Sequence, residues 1–216
     1  MMVATSTSVD HIADAHPGRV LELVAGWADS TWETGIAFGT VGLAKHGSKL
    51  EVTTYRAESY DPSSRNPVVT YGESLDGDLA RRDFTINAMA LALPGWRSPD
   101  AFVDRFGGLT DLAAGVLRTP GRPEDSFGDD PLRMLRAARF AAQLGFRVAP
   151  EVVAAMTSMA DRLTIISVER LKDELAKLLV GIAPRAGLEL LVDTGLAAVV
   201  LPELPALRLE IDEHHQ

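Results

Sequence analysis

The 216-residue chain is 46% hydrophobic and 24% charged, with a formal net charge of −9 and no cysteine. This composition suits one or two globular domains with a real core, and it excludes disulfide bonds and thiolate metal sites. The N-terminus lacks the basic flank and apolar core of a signal peptide, and no apolar run reaches the roughly 18 residues of a membrane span, so we expect a cytoplasmic protein.

The first third of the chain has a mixed α/β pattern. Pro17–Ala28 has the apolar spacing of a helix that begins at a proline. Two β-rich runs, Ile36–Ala44 and Lys49–Arg56, flank a His-Gly-Ser turn, which predicts a β-hairpin. On the second run Glu51 shares a face with Thr53.

After residue 122 the pattern changes from mixed α/β to all-helical. Before that point we predict the following elements: a helix that grades into an apolar run at Phe84–Leu93, strands at Phe102–Asp104 and Val116–Arg118, and a short helix at Leu109–Ala114. From Pro123 onward we predict helices to the end. The change in type predicts a mixed α/β domain at 1–122 and an all-α domain at 123–216.

The predicted helix at 130–144 is distinguished by the charges on one of its edges. At 100° per residue its apolar residues form a single stripe. Asp130, Arg133 and Arg136 lie off that stripe, each about 60° from the next. One edge would then carry a carboxylate followed by two planar guanidinium groups, which could hydrogen-bond a nucleotide base. The alternative is a surface helix with i,i+3 ion pairs.

Three stretches of the chain carry a family resemblance: Arg81–Ala90, Asp129–Phe140 and Ser167–Leu175. They resemble motifs of class II CCA-adding tRNA nucleotidyltransferases and bacterial poly(A) polymerases, which belong to the polymerase-beta superfamily. The first stretch resembles the ribose-selecting motif, and the second resembles the template motif, usually Glu-Asp-x-x-Arg. The third resembles the helix that follows the template motif. The resemblance implies that 1–122 is a nucleotidyltransferase head and that 123–216 is a helical neck and body that binds nucleotide and RNA.

The reaction implied by the resemblance is nucleotidyl transfer. In the family the 3′ hydroxyl of tRNA attacks the α-phosphate of CTP or ATP, and pyrophosphate leaves. By the resemblance Asp130 and Arg133 would hydrogen-bond the base, and Arg136 would hold the base-reading side chains or the phosphates. Asp83 would accept a hydrogen bond from the ribose 2′-hydroxyl. The residues expected close to the sugar and phosphates are Arg82 and Asn87.

The resemblance also implies catalysis by two divalent ions, with Mg²⁺ as the cofactor. The superfamily holds these ions with an Asp-x-Asp pair on one strand and a third acid on a neighbouring strand. Asp10 would be the surviving second aspartate, and Glu51 is the candidate for the third acid. Asp10 and Glu51 are therefore the expected catalytic and metal-binding residues. A solvent-exposed position on the outer face of the hairpin is the alternative for Glu51.

Both ends of the chain depart from the family pattern. Ser8 stands where the first aspartate of the Asp-x-Asp pair is expected, and the family's Gly-Gly turn has no counterpart before it. We therefore expect an N-terminally truncated head with impaired activity. Glu213–Gln216 resembles only the beginning of the HD phosphohydrolase domain that follows in related enzymes. His214 and His215 cannot form a site on their own, and the role of this pair stays open.

The sequence predicts a CCA-adding-type protein that transfers CMP and AMP from CTP and ATP to the 3′ end of tRNA, without a membrane partner. A poly(A) polymerase is the alternative within the family, because its template motif is nearly the same. A non-catalytic nucleotide- or RNA-binding remnant is the alternative from another class, because Ser8 replaces an acid.

Overall fold

The computed structural model describes residues 11–59, 68–71, 74–93 and 95–206. Their contacts divide the chain into two units, Met1–Arg81 and Arg82–Gln216. The mixed α/β content agrees with the predicted fold class. The predicted domain division at 122/123 follows the change in secondary-structure type, and it stays a prediction. No helix in the described ranges has the length and apolar character needed to cross a membrane.

The first unit is built on a four-stranded sheet in the order β1-β4-β3-β2. Its elements are β1 (His11–Ala13), α1 (Pro17–Val24), β2 (Ser30–Trp32), β3 (Thr40–Lys45) and β4 (Ser48–Thr54), followed by β5 (Arg56–Ser59), β6 (Val68–Tyr71) and α2 (Leu75–Ala80). β1 pairs in parallel with β4, and the other sheet neighbours are antiparallel. β5 and β6 form a separate antiparallel pair.

The predicted hairpin is confirmed, with β3 and β4 paired from Thr40–Thr53 to Lys45–Ser48. Its two turn residues, His46 and Gly47, have φ of 49° and 79°. Two consecutive positive φ angles are the signature of a two-residue type I′ turn, whose twist matches that of the strands. The predicted strand at Ile36–Ala44 is only partly right, because residues 36–38 form a 3₁₀ turn and Gly39 is left-handed, so the strand begins at Thr40.

The described part of the second unit contains two short strand pairs and eight α-helices. Its elements are β7 (Met89–Leu91), β8 (Phe102–Asp104), α3 (Gly108–Ala114), β9 (Val116–Leu117), α4 (Pro123–Asp129), α5 (Leu132–Leu144), β10 (Arg147–Val148), α6 (Pro150–Ser158), α7 (Val168–Leu179), α8 (Pro184–Asp193), α9 (Leu196–Val200) and α10 (Glu203–Ala206). β7 pairs antiparallel with β8, and β10 pairs in parallel with β9. β10 is a strand within the half that was predicted to be all-helical.

α5 forms the centre of the second unit. The apolar stripe predicted for it is buried, including Met134, Leu135 and Ala138. α7 and α8 pack against α5. Gly187 on α8 permits this approach, because a Cβ there would lie 2.8 Å from the carbonyl oxygen of Ala138. The core of this unit therefore surrounds the helix that carries the template motif.

The predicted helix at Phe84–Leu93 is wrong. Residues 85–87 form a single 3₁₀ turn, and β7 follows it. Thr85 is buried, its amide donates to the carbonyl of Arg118, and its Oγ1 donates to Asp111 at 2.8 Å. These long-range bonds hold Thr85 against residues 111 and 118, and the 3₁₀ turn ends before Met89. The apolar run after the turn then pairs with β8 as a strand.

Candidate functional site

Asp83 lies at the centre of a polar cluster in the second unit. It is 7% exposed, and its Oδ1 accepts hydrogen bonds from the Phe84 amide and from Asn87 Nδ2, both at 2.9 Å. Its Oδ2 lies 2.7 Å from Nη2 of Arg136. This second contact is an ion pair outside hydrogen-bond geometry, so within the described residues Oδ2 accepts no hydrogen bond. A buried carboxylate with remaining lone pairs can accept from a hydroxyl.

The Asp83–Arg136 ion pair joins two of the three stretches identified in the sequence. Asp83 belongs to Arg81–Ala90, and Arg136 belongs to Asp129–Phe140 on α5. An aromatic contact runs beside it, with the Phe84 and Phe140 rings 5.6 Å apart and perpendicular. The two stretches, distant in the sequence, thus form one site in the fold.

A second buried ion pair continues the cluster from α5 to α7. Arg139 Nε lies 2.5 Å from Oε2 of Glu174, and both side chains are about nine-tenths buried (12% and 10% exposed). The Arg139 guanidinium also lies 4.1 Å from the centroid of the Phe140 ring, a cation–π contact. Burial lowers the pKa of Arg139, and the neighbouring Glu174 carboxylate opposes that shift. The pair fixes α7 against the helix that carries Arg136.

Asp130 does not lie on the helix edge where the sequence pattern placed it. α5 begins at Leu132, and Asp130 has extended backbone angles of −140° and 99° between α4 and α5. Pro131 favours this geometry, because its ring disfavours the helical region for the residue before it. Asp130 Oδ1 accepts from the Leu132 amide at 3.1 Å, and Oδ2 accepts from Nη2 of Arg170 at 2.9 Å. The carboxylate is thus held from both sides while each oxygen keeps a lone pair.

Arg133 is a buried arginine, only 9% exposed. Its Nη1 donates to the Ser126 hydroxyl at 2.9 Å and makes a longer contact of 3.4 Å with the Ser126 carbonyl. Its amide donates to the carbonyl of Asp130 at 3.0 Å. The alternative of an exposed i,i+3 pair therefore does not describe this residue, since its guanidinium is bound inside the unit by α4.

The remaining residues predicted near the sugar and phosphates flank Asp83. Arg82 is half-buried and Asn87 is exposed, with its amide directed to Asp83. Around these the arrangement presents carboxylate acceptors at residues 83 and 130 and guanidinium donors at residues 133 and 136. Such a set can hydrogen-bond a base, a ribose hydroxyl and a phosphate.

The two predicted metal ligands lie in the first unit or outside the described residues. Glu51 is exposed on β4, opposite Gly42 of β3. Asp10 lies outside the described residues. Among the residues that the structure describes, no three acidic or histidine side chains group as a metal site would require. Glu51 is thus the one predicted metal ligand in the described part of the chain, and we derive no step through the ion.

Sequence reasoning missed the residues that hold the site from neighbouring helices. The contact of Ser126 on α4 crosses the break between two helices, and the contacts of Arg170 and Glu174 on α7 are long-range, so no local motif reports them. A partial indication existed for α7, because residues 170 and 174 are four apart and share one helix face. Ser167 precedes α7 and makes no capping hydrogen bond through its side chain.

Family models match both parts of the chain. The model described as "Poly A polymerase head domain" matches residues 1–118. The model described as "Probable RNA and SrmB- binding site of polymerase A" matches residues 145–207.

Curated relatives named "CCA-adding enzyme" match most of the chain. The protein of Levilactobacillus brevis is 46% identical over 87% of this chain and 45% of its own length. The protein of Lacticaseibacillus paracasei is 42% identical over 96% of this chain and 50% of its own length. The chain therefore spans about half the length of the curated relatives it matches.

Solved structures with the same fold include the Bacillus stearothermophilus CCA-adding enzyme in complex with CTP, with a TM-score of 0.80 and 37% identity over 93% of this chain and 47% of that one. A tRNA nucleotidyltransferase complexed with a primer tRNA and an incoming ATP analog matches with a TM-score of 0.71 and 30% identity, over 90% of this chain and 54% of that one. Since the head-domain model alone matches more than half of the residues, the chain belongs to the poly A polymerase head-domain family of nucleotidyltransferases, together with the CCA-adding enzymes.

Proposed function

We propose that this protein is a CCA-adding-type nucleotidyltransferase, which transfers CMP and AMP from CTP and ATP to the 3′ end of tRNA. The observation that carries the proposal is the ion pair between Asp83 and Arg136, which joins the ribose-selecting stretch to the template stretch. The relatives named "CCA-adding enzyme" support the same activity, and the complexes with CTP and with tRNA support the same substrates. Because tRNA is the substrate, the proposal includes a cytoplasmic location.

Base recognition in this proposal belongs to Asp130 and Arg133. Cytosine and adenine both present an exocyclic amino donor beside a ring-nitrogen acceptor, whereas uracil presents an acceptor beside a donor. A carboxylate accepts from the amino group, and a guanidinium donates to the ring nitrogen. The fold holds both groups. The Asp130 carboxylate accepts from the Leu132 amide and from Arg170, and the Arg133 guanidinium donates to Ser126. This pairing of groups favours CTP and ATP over UTP and GTP.

Sugar recognition belongs to Asp83, whose Oδ2 would accept from the ribose 2′-hydroxyl. Arg136 holds this carboxylate from α5, and Asn87 holds it from the 3₁₀ turn. Arg82 and Asn87 lie next to Asp83 in the chain and are proposed to contact the sugar and phosphates. The resemblance implied that Arg136 holds the base-reading side chains or the phosphates. Here Arg136 contacts the Asp83 carboxylate, which is proposed to read the sugar.

The cofactor part of the proposal is Mg²⁺, since nucleotidyltransferases of this family generally use a divalent metal ion. Such an ion neutralises phosphate charge and aligns the attacking and leaving oxygens when it is bound. Asp10 and Glu51 are the proposed ligands, and hard cations favour carboxylate oxygens of this kind. Replacing Glu51 with alanine would weaken Mg²⁺-dependent transfer without changing nucleotide selection in the second unit.

A poly(A) polymerase activity is the second candidate, and the poly A polymerase descriptions of the two matching family models favour it. The test is incorporation of labelled CMP and AMP, with Mg²⁺, into tRNA that lacks its 3′ CCA. Ordered addition of two CMP and one AMP supports the proposal. A long tract of AMP alone would favour the second candidate. Nucleotide binding without incorporation at any rate would reduce the chain to a binding protein and contradict both enzymatic assignments.

A further inference from the structure

Ser126 contacts both residues proposed to read the base. Its hydroxyl accepts from Nη1 of Arg133 at 2.9 Å, and its carbonyl accepts from the Asp130 amide at 3.2 Å. The side chain is nearly buried, at 9% exposed, and it lies on α4, outside the helix that it supports. The sequence alone gave no reason to single it out, because the contact spans the break between two helices.

The hydroxyl contact fixes the direction of the Arg133 guanidinium. A guanidinium is planar, so a bond to one terminal nitrogen constrains the directions of the other N–H groups. An arginine side chain has several rotatable bonds. Without such a hydrogen bond they rotate more freely, and restricting them on ligand binding costs affinity. The Arg133 amide also donates to the Asp130 carbonyl, so residues 126, 130 and 133 form one bonded group.

The backbone bond from Asp130 to residue 126 is available to any side chain at that position, whereas the bond to Arg133 at 2.9 Å requires a hydroxyl. Alanine removes the hydroxyl acceptor and keeps the backbone carbonyl of residue 126, which Nη1 contacts at 3.4 Å. Cysteine keeps nearly the same volume but is a weak acceptor, and threonine keeps the hydroxyl. Substitutions at residue 126 can therefore change the orientation of the Arg133 guanidinium separately from the packing of α4.

We propose that Ser126 is a positioning residue that orients Arg133 for base recognition, and that it thereby sets nucleotide discrimination without touching the nucleotide. The inference rests on the proposed function, in which Asp130 and Arg133 read the base. It adds a specificity-determining residue on α4, which lies before the template helix.

The experiment compares the full chain with Ser126→Ala, Ser126→Cys and Ser126→Thr. Ser158→Ala is the control, because it removes a serine hydroxyl on α6 of the same unit, where the hydroxyl donates to the Ala155 carbonyl at 3.1 Å instead of accepting from a guanidinium. Affinities for CTP, UTP and dCTP are measured by titration. Arginine side-chain NMR signals are measured in parallel, with the Arg133 signal identified by its loss in Arg133→Lys.

The expected result is that Ser126→Ala and Ser126→Cys lower the preference for CTP over UTP about tenfold, as loss of a hydrogen bond to a charged group predicts. Ser126→Thr and Ser158→Ala keep the preference, and the preference for CTP over dCTP stays unchanged in all variants. In the unmutated chain, the Arg133 Nη signals show restricted rotation, and the rotation is faster in the alanine and cysteine variants.

The inference fails if both variants keep the unmutated preference, or if the Arg133 Nη signals rotate freely in the unmutated chain. The NMR measurement needs no nucleotide, so it separates this inference from the proposed function. An unmutated chain that binds CTP and UTP equally would overturn base reading, whereas the restricted Arg133 signal would still support the contact. Should Ser126→Ala fail to fold, Ser126→Cys and the unmutated signal decide the question.

Discussion

At the scale of single residues, Asp83 is where the two stretches of the site meet. Its carboxylate is buried and is held by a backbone amide, a side-chain amide and a guanidinium. Three such partners orient both oxygens, because each is a donor or cation at a fixed position. A fixed acceptor discriminates between sugars by geometry, since a deoxyribose leaves it without its partner.

The first prediction concerns this acceptor. We expect Asp83→Ala to abolish a preference for CTP over dCTP that is about tenfold or more in the unmutated chain, because the mutation removes the group proposed to accept from the 2′-hydroxyl. Titration with the two nucleotides measures the preference. Asp173→Ala, which changes an exposed aspartate of the second unit, serves as the control. A preference that survives in Asp83→Ala would assign sugar reading to another residue.

Residue identities in the site were predictable from local stretches, whereas their partners were not. Asp83, Arg133 and Arg136 each lie in a stretch whose order of residue types can be read directly from the sequence. Ser126 contacts Arg133, and Arg170 contacts Asp130, across helix boundaries, and such contacts depend on the packing of α4 and α7 against α5. Asp130 was misplaced for a related reason, since a helical wheel assumes that the helix continues through Pro131.

At the scale of secondary-structure elements, the second unit depends on the close packing of α8 against α5. Gly187 is buried in this contact, and a Cβ there would lie 2.8 Å from the Ala138 carbonyl oxygen and 3.0 Å from the Ala142 and Leu178 side chains. The neighbour at 2.8 Å is backbone, which cannot move aside as a flexible side chain can.

The second prediction follows from that distance. We expect Gly187→Ala to lower the free energy of unfolding by about 1–3 kcal/mol, the usual cost of overpacking a core. Gly128→Ala on α4 is the matched control, because a Cβ there meets nothing within 4 Å. That variant should be unchanged or more stable by up to about 1 kcal/mol, as expected for alanine in a helix. Urea unfolding followed by circular dichroism measures both, and equal stability of the two variants would contradict the close contact.

The third prediction concerns the ion pair between α5 and α7. We expect Glu174→Ala to destabilise the second unit by about 3 kcal/mol or more, because Arg139 then keeps a largely buried charge without its main partner. Glu169→Ala, an exposed change on α7, should stay within about 1 kcal/mol of the unmutated chain. The same unfolding measurement applies, and similar effects of the two substitutions would show that the pair is screened by solvent.

Helices and strands were predictable where a local sequence pattern was long. They were not predictable where hydrogen bonds to distant residues determine the secondary structure. The β3–β4 hairpin and α5 follow from alternation and from the apolar stripe. The stretch after Phe84 fails as a helix because residues 89–91 pair as a strand with β8, which lies later in the chain. β10 was missed because a two-residue strand exists only through its pairing with β9.

At the scale of the whole molecule, the residues proposed to select the nucleotide all lie in the second unit, whereas Glu51 lies in the first. The proposed nucleotide selection and the proposed metal binding therefore involve different parts of the sequence. This separation allows selection to be measured by binding alone, without turnover. A binding measurement on the 216-residue chain thus tests the proposed nucleotide site, although the chain spans about half the length of its curated relatives.

The most direct measurement is titration of the chain with CTP, ATP, UTP and GTP, repeated with Asp130→Ala and Arg133→Ala. Each side chain is proposed to contribute a hydrogen bond to a charged group, which predicts about tenfold or more tighter binding of CTP and ATP than of UTP and GTP. Either substitution should reduce this preference, while Glu51→Ala, in the other unit, leaves it unchanged. Equal affinity for the four nucleotides in the unmutated chain, with no effect of either substitution, would contradict the assignment of base reading to Asp130 and Arg133.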